Sequence, residues 1–257
     1  MPLLELQQIT KTFGGLNAIN GFDLKIEKGQ IVGLIGPNGA GKTTLFNIIS
    51  GAFPPTSGKI IFKGKDITGL GPSGVARHGL IRTFQLITIF KDMTVLENIL
   101  LGFHLTSGLK FWPGVFNTAS SRAAEKNLLE RAREMADLVG LKDKQNEIAR
   151  NLSYGHQKSL QIAISLAANP ELLLLDEPFN GMSAEEQNAM MVKIRSIRER
   201  GVTILIVEHV MNIIMQICDN VYVLAFGKKL AEGTPQEICV NKEVIAAYLG
   251  NEYASRS

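Results

Sequence analysis

A glycine-rich stretch, GPNGAGKT at residues 36–43, constrains the fold of this chain more than any other feature. It follows the apolar run GQIVGLIG, which predicts a buried strand, and it precedes KTTLFNIISG, which predicts a helix ending at Gly51. The stretch fits the pattern G-x-x-x-x-G-K-[ST], which requires a strand before it and a helix after it. Because that context is present, we interpret the stretch as a phosphate-binding loop and not as a chance glycine-rich turn.

The chemistry of such a loop assigns a role to each part of it. Its glycines let successive backbone N–H groups turn inward around phosphate oxygens, and the helix N-terminus adds the positive end of its dipole. Lys42 would supply a positive charge to the outer phosphates, and the Thr43 hydroxyl can join a magnesium shell. The residues expected to bind the nucleotide are Gly36, Pro37, Asn38, Gly39, Ala40, Gly41, Lys42, Thr43 and Thr44.

Two acids follow the apolar run LLLL near residue 175. Asp176 would help to hold the metal. Glu177 points to the other side of the strand end, where it can polarise a water. Acids at strand ends are commonly just solvated, but the phosphate loop makes a catalytic role the better interpretation here.

Two further polar residues fit the same chemistry. Gln85 in IRTFQ can offer an oxygen to the metal and bond the attacking water, and His209 in VEH can donate a hydrogen bond to the γ-phosphate. Each is weak evidence alone, since an isolated histidine is more often structural. His78 and His104 are interpreted in that structural way.

The stretch NLSYGHQ, residues 151–157, precedes a helical run without any visible partner for its polar groups. It shows no metal-ligand spacing and no nucleophile–base pair. Gly155 would weaken a helix start unless the backbone must come close to something. The residues alone leave open what Ser153 and the backbone N–H groups at this helix N-terminus bind.

The predicted secondary structure changes twice along the chain. Residues 1–35 predict antiparallel strands, residues 91–168 are mostly helical, and buried strands return with ELLLLDE and VTILIVEH. Capping-box patterns predict helix starts at Thr94 with Glu97 and at Ser183 with Glu186.

Bulk properties exclude several classes of protein. The net charge of +3 over 257 residues gives no electrostatic case for nucleic-acid binding. The two cysteines are too few for a disulfide scaffold and are expected to be reduced thiols. The sequence shows no secretory signal and no run of 18 apolar residues, so we expect any work at a membrane to go through a partner.

The phosphate loop, Gln85, LSYGHQ, LLLLDEP and His209 occur together in one order. In this the chain resembles the nucleotide-binding subunit of an ATP-binding cassette (ABC) transporter over essentially its full length. The resemblance implies an α/β fold: a P-loop NTPase core with an antiparallel β subdomain and an inserted α-helical subdomain. It implies one domain over residues 1–257, with the core in 1–90 and 169–257 and the helical signature subdomain in 91–168.

The resemblance also implies the ligands and the site residues. ATP and Mg²⁺ would be the cofactors, with Glu177, His209 and Gln85 catalytic and with Thr43, Gln85 and Asp176 around the metal. Two cassettes of this family pair head to tail, and the signature of one faces the γ-phosphate held by the other. The γ-phosphate held by the other cassette would then be the ligand of Ser153, Gly155 and His156. Phe13 stands where the family stacks an aromatic ring on adenine, although its neighbourhood also suits a strand-end core residue.

The sequence departs from the commoner family pattern at three positions. Tyr154 stands in place of a second glycine in the signature, and His156 in place of glutamine. Ser183 stands where an aspartate is usual after LDEP, and it can still cap the next helix. Since the serine and one glycine remain, we expect the signature to function.

Several stretches resemble the importer branch for branched-chain amino acids, among them GLIRTFQLITIFKDMTVLENIL and GTPQEICVNKEVIAAYLG. Neighbouring branches import urea or short-chain amides or export lipopolysaccharide, and a soluble ABC ATPase is a further alternative. The branch implies transmembrane permease subunits and a second ATPase subunit, either identical or paralogous. A periplasmic or extracellular solute-binding protein would act indirectly, and the chain would lie at the cytoplasmic face of the membrane.

The segment LTSGLKFWPGVFNTASS, residues 105–121, holds the only tryptophan, Trp112, among Gly, Pro and Ser. A loop that packs its own aromatics on the helical lobe is the favoured interpretation. The alternative is a contact with the permease or the lipid surface, where amphipathic aromatics settle.

Overall fold

The computed structural model describes residues 1–83, 89–107 and 119–254; of 104–107, 119–124 and 249–254 it describes the backbone alone. The strands of the described chain are β1 Leu4–Phe13, β2 Leu16–Ile26, β3 Ile31–Ile35, β4 Ser57–Phe62, β5 Lys65–Asp66, β6 Leu80–Arg82, β7 Leu172–Asp176, β8 Thr203–Val207, β9 Asn220–Ala225 and β10 Lys228–Gly233. Its helices are α1 Lys42–Ile49, α2 Pro72–Arg77, α3 Val95–Ser107, α4 Ala119–Leu138, α5 Tyr154–Ala167, α6 Ala184–Glu199, α7 Met211–Ile217, α8 Pro235–Cys239 and α9 Lys242–Ala254. Two 3₁₀ turns, Lys142–Lys144 and Ala149–Asn151, precede α5.

The larger sheet carries the phosphate loop. Its described strands lie in the order β10-β9-β3-β8-β7-β6, with β9 to β6 parallel and β10 antiparallel at the edge. In parallel sheets the carboxyl ends of the strands meet at one edge. The ends of β3, β7 and β8 therefore bring the phosphate loop, the two acids and the histidine segment to the same edge.

The smaller sheet is antiparallel, with its described strands in the order β2-β1-β4-β5. The predicted pairing of the N-terminal strands is confirmed, from Leu4 opposite Ile26 to Phe13 opposite Leu16. Strands β4 and β5 form an antiparallel hairpin, and β9 and β10 form a second one.

Both faces of the larger sheet are covered, as the continuous apolar runs predicted. Side chains alternate along β7: Leu172 and Leu174 pack toward the smaller sheet and α1, whereas Leu173 and Leu175 pack toward the helices. The first core includes Phe22, Phe46 and Phe62 of the smaller sheet and α1. The second core joins α3 to α9 against the opposite face.

The predicted helix starts are confirmed at both capping boxes. Thr94 and Glu97 exchange backbone and side-chain hydrogen bonds, with Thr94 N–H donating to Glu97 Oε2 at 2.7 Å. Ser183 and Glu186 form the reciprocal pair at the start of α6. Within the described residues, no helix is both long enough and apolar enough to cross a bilayer.

Candidate active site

The phosphate loop requires glycine at its first and sixth positions. Gly36 has a φ of +151°, and a Cβ there would lie 1.9 Å from the carbonyl oxygen of Leu224. Gly41 has a φ of +109°, and its Cβ would lie 2.6 Å from the carbonyl oxygen of Ala18. The β9–β10 turn holds the loop from outside, since Gly227 N–H donates to the Ala40 carbonyl at 3.0 Å. The loop is therefore fixed by close backbone packing.

Lys42 lies folded back onto this loop. Its ammonium donates to the carbonyl oxygens of Gly36 at 2.6 Å and Pro37 at 2.9 Å, and its side chain is buried. Burial lowers the pKa of Lys42, and the negative charge of Glu177 opposes that shift. The next residue, Thr43, is exposed at the first turn of α1. A cation and a hydroxyl thus stand at the mouth of the loop.

The two acids at the end of β7 occupy different surroundings. Asp176 is buried and accepts a hydrogen bond from the Arg82 guanidinium at 2.7 Å. Glu177 is partly exposed and has a φ of +46°, in the left-handed region that non-glycine residues seldom occupy. Asn180 Nδ2 donates to Glu177 Oε2 at 3.3 Å. Of the two acids, the partly exposed Glu177 is the one that a water molecule can reach.

His209 lies near Glu177 at the end of β8. Its Nδ1 is 3.9 Å from Glu177 Oε1 and 3.7 Å from Glu208 Oε2, and the ring is half exposed. Glu208 is fully buried and accepts from the N–H groups of Phe179 and His209 at 3.1 and 3.0 Å. Burial raises the pKa of Glu208, while these hydrogen bonds act against that rise. Glu208 thus ties the segment after β7 to the segment after β8.

The stretch NLSYGHQ forms the N-terminus of α5. Ser153 is the N-cap residue, and its Oγ accepts from His156 N–H at 3.4 Å and lies 3.0 Å from His156 Nδ1. Gly155 is buried, and a Cβ there would lie 2.8 Å from Glu186 Oε1, so a larger residue would have to displace that side chain. Burial first, then the charges of Lys144 and Lys193, lower the pKa of His156. These surroundings therefore favour the neutral form of the ring beside the Ser153 hydroxyl.

Tyr154 is exposed at 47% and lies against the loop that follows β7. A Cβ at Gly181, where φ is +76°, would lie 3.0 Å from Tyr154 Cε1. Tyr154, which replaces a glycine of the signature, thus packs on Gly181 in the loop after β7.

Phe13 is exposed at 47% at the end of β1, and it is not a core residue. Its ring meets Phe53 edge-on with centroids 5.6 Å apart, and the Lys11 ammonium lies 5.1 Å from the Phe13 centroid. The plain strand-end core alternative for this residue is therefore wrong.

Two expectations fall on residues that the structure does not describe. Gln85 lies within 84–88, and Trp112 with most of the segment 105–121 lies within 108–118. Both stay predictions.

Magnesium fits the residues that are described. Mg²⁺ is usually bound by one or two protein oxygens together with substrate phosphates and water, and seldom by a dedicated protein cage. Thr43 and Asp176 supply a hydroxyl and a carboxylate of that kind. No cluster of three His, Cys, Asp or Glu side chains suited to a metal occurs in the described chain.

Three charged side chains of the site were not predicted from the sequence: Lys158 and Glu208, which are buried, and Arg82, which is partly buried. Arg82 holds Asp176, and the Lys158 ammonium donates to the Glu177 carbonyl at 2.6 Å. Only Glu208 carried a signal, as a charged residue directly after a continuous apolar strand.

The fold and this site define a nucleoside triphosphatase of the phosphate-loop class. A model of the ABC transporter family matches residues 19–180, and a model described as branched-chain amino acid ATP-binding cassette transporter matches residues 228–254. The chain belongs to the ABC transporter family, and it is an ATP-binding ATPase subunit of such a transporter.

Similar proteins extend over nearly the whole chain. BraF of Pseudomonas aeruginosa, a high-affinity branched-chain amino acid transport ATP-binding protein, is 43% identical over 97% of this chain and 98% of its own length. LivG of Escherichia coli K12, which carries the same description, is 41% identical over 97% and 98%. A crystal structure of an ABC transporter cassette in its ADP conformation has a TM-score of 0.85 at 30% identity, covering 97% of this chain and 99% of that one. The α/β expectation is thereby confirmed.

Proposed function

We propose that the chain binds Mg-ATP at residues 36–44 and hydrolyses it with Glu177 as the base. The observation that carries this proposal is the position of Glu177. Its Oε1 lies 3.9 Å from His209 Nδ1, and its negative charge attracts the ammonium of Lys42 in the loop. Lys42 would bind the outer phosphates, and Asp176, Thr43 and Gln85 are the residues that would hold the magnesium ion. When bound, that ion would neutralise phosphate charge.

In the hydrolytic step, Glu177 takes a proton from water as the water oxygen forms a bond to the γ-phosphorus. The bond from that phosphorus to the bridging oxygen breaks, and ADP leaves with the bridging oxygen. His209 donates a hydrogen bond to a γ-phosphate oxygen, and Phe13 stacks on adenine.

The ATP is shared between two cassettes in this proposal. Ser153, Gly155 and His156 serve the γ-phosphate held by a second cassette, which is either a copy of this chain or a paralogue. The exposure of Ser153 at the N-terminus of α5 supports this role, since a helix N-terminus presents backbone N–H groups and the positive end of its dipole. Residues 91–168 form the helical subdomain that carries this signature.

Branched-chain amino acids are the proposed solute, and import is the proposed direction. The relatives BraF and LivG, similar over their full lengths, and the match of residues 228–254 support it. Solute choice rests with permease subunits and, indirectly, with a solute-binding protein. The chain itself works at the cytoplasmic face, bound to the permease.

The activity is tested with Glu177→Gln, which keeps the shape of the side chain but cannot take the proton. Loss of a general base costs on the order of 10²–10⁴ in rate. ATP still binds, so Glu177→Gln accumulates an ATP-dependent dimer, visible by light scattering with this chain alone or with its paralogue. Adding Ser153→Arg abolishes that dimer. Wild-type hydrolysis by Glu177→Gln in the assembled complex would exclude Glu177 as the base, and an intact Ser153→Arg dimer would exclude the role of NLSYGHQ.

The solute is tested by uptake of labelled leucine and of labelled urea in cells that carry the complete transporter. Uptake of leucine alone, lost with Glu177→Gln, is the expected result. Uptake of urea alone would assign the chain to the neighbouring branch.

A further inference from the structure

Lys158 is a buried lysine on the helix that begins with the signature. It lies one helical turn after Tyr154 on α5, and only 6% of its surface is exposed. Its ammonium donates to the backbone carbonyl of Glu177 at 2.6 Å. A buried ammonium is costly unless it is paired, and the carboxylates that offset the cost are those of Glu208, Glu177 and Asp176. The cation therefore lies among the carboxylates at the ends of β7 and β8.

The peptide that Lys158 holds is a strained one. Glu177 has a φ of +46°, a left-handed conformation that is unfavourable for a non-glycine residue. Two hydrogen bonds fix the backbone on either side of this torsion: Glu177 N–H donates to Val207 O at 3.0 Å, and Glu177 C=O accepts from Lys158. Such strain persists where the surroundings over-determine it. One of these two anchors is a side chain of α5.

Tyr154 adds a second contact between α5 and the same segment. The Lys158 ammonium lies 5.4 Å from the centroid of the Tyr154 ring, within the range of a cation–π contact. The same ring packs on Gly181, four residues after Glu177. The N-terminal turns of α5 therefore hold the chain at Glu177 and again at Gly181.

We propose that Lys158 is a positioning residue for hydrolysis, which holds the Glu177 peptide of its own chain while the N-terminus of the same helix serves the nucleotide of the partner. The inference rests on the proposed role of Glu177 as the base. It makes α5 a rigid link between two ATP sites: Ser153 and Gly155 contact one, and Lys158 sets the base of the other. A shift of α5 on binding the partner's nucleotide would move the Glu177 carbonyl with it.

The test compares Lys158→Met, which loses both charge and donor, with Lys158→Gln, which keeps an N–H donor. Both are measured in the complete transporter. Misplacing a catalytic group by about 1 Å can cost on the order of 100-fold. We expect Lys158→Met to lower kcat by about 10- to 100-fold with the Kd for Mg-ATP within about threefold of wild type, and Lys158→Gln to recover most of the loss.

Lys193→Met is the matched control. Lys193 is a partly buried lysine of α6 that also contacts α5, since its ammonium donates to Ser159 Oγ at 3.0 Å. Burial lowers the pKa of Lys193 as it lowers that of Lys158, but Lys193 makes no contact with Glu177. We expect the kcat of the Lys193→Met variant to stay within about twofold of wild type.

The outcomes separate the two proposals. Loss of hydrolysis in Glu177→Gln with wild-type kcat in Lys158→Met would overturn only the role of Lys158. Wild-type hydrolysis in Glu177→Gln would overturn the proposed base. A Lys158→Met variant that loses rate and Mg-ATP affinity together, with no recovery in Lys158→Gln, would make Lys158 a structural residue and overturn the inference.

Discussion

Arg82 donates to Asp176 Oδ2 at 2.7 Å, and this ion pair joins the last residue of β6 to the last residue of β7. Its two side chains are only 13% and 3% exposed. The same guanidinium donates to Asn47 and Ser50 at the end of α1, the helix that begins with the phosphate loop. Arg82 thus links Asp176, a proposed metal ligand, to the C-terminal end of the helix that follows the phosphate loop.

Replacing Arg82 with Gln should destabilise the nucleotide-free protein by about 3 kcal/mol. Removing one partner of a buried pair leaves the other charge uncompensated, which typically costs about 3–5 kcal/mol. The measurement is urea unfolding in the absence of nucleotide. Saturating Mg-ATP should restore more stability to Arg82→Gln than to wild type, because bound magnesium offsets the charge of Asp176.

The control for this prediction is Arg150→Gln. Arg150 pairs with Asp92 at the same distance of 2.7 Å, but the two side chains are 63% and 83% exposed. Exposed pairs contribute about 0–1 kcal/mol. Equal losses in both variants would show that burial does not set the strength of the Arg82 pair.

Replacing Lys42 with Ala should weaken Mg-ATP binding by about 10- to 100-fold. The lysine is already held at the loop by the carbonyls of Gly36 and Pro37, and hydrogen bonds to charged groups contribute about 1.5–3 kcal/mol. Calorimetric titration gives the affinity, and circular dichroism shows that the fold is kept. The exposed Lys28 gives the control variant, Lys28→Ala, which should bind as wild type. Unchanged affinity in Lys42→Ala would contradict the prediction.

Much of this fold could be predicted because local patterns determine it. The run LLLL before Asp176 required cover on both faces, and the structure provides it. The capping boxes at Thr94 and Ser183 are local hydrogen-bond patterns, so they could be read directly. The three-residue strand β6 was not predicted, because so short a run carries no period.

The buried partners of the acids could not be predicted for a different reason. Arg82 and Asp176 meet only because β6 pairs with β7 in register, and Lys158 reaches Glu177 only through the packing of α5. In sequence, both residues look like ordinary surface cations. Their roles depend on tertiary contacts between segments that no local pattern connects.

Ser183→Asp should leave stability within about 0.5 kcal/mol of wild type, whereas Ser183→Ala should cost about 1 kcal/mol. Ser183 caps α6 by accepting from Glu186 N–H, and aspartate caps about as well as serine, whereas alanine cannot cap. Thermal unfolding measures both variants. Thr234→Ala, at the capping box of α8, should cost about as much as Ser183→Ala. A loss in Ser183→Asp equal to that in Ser183→Ala would mean that the serine contributes more than its cap.

The contact between Tyr154 and Gly181 should appear as a coupling in a double-mutant cycle. Gly181→Ala introduces left-handed strain of about 1–2 kcal/mol, and its Cβ meets the tyrosine ring at 3.0 Å. Tyr154→Ala removes the ring and therefore the clash but not the strain. The two substitutions together should cost less than the sum of their separate costs, by about 0.5–1.5 kcal/mol in urea unfolding.

Gly201→Ala is the control for this cycle. Gly201 has a φ of +90°, and a Cβ there would meet nothing within 4 Å, so the variant carries the strain without the clash. Combined with Tyr154→Ala it should be additive, because the two sites share no contact. Additivity at Gly181 as well would show that the tyrosine does not require a glycine opposite it. Coupling at Gly181 alone would explain how the signature accepts tyrosine in place of its usual second glycine: the space for the ring comes from the missing side chain of Gly181.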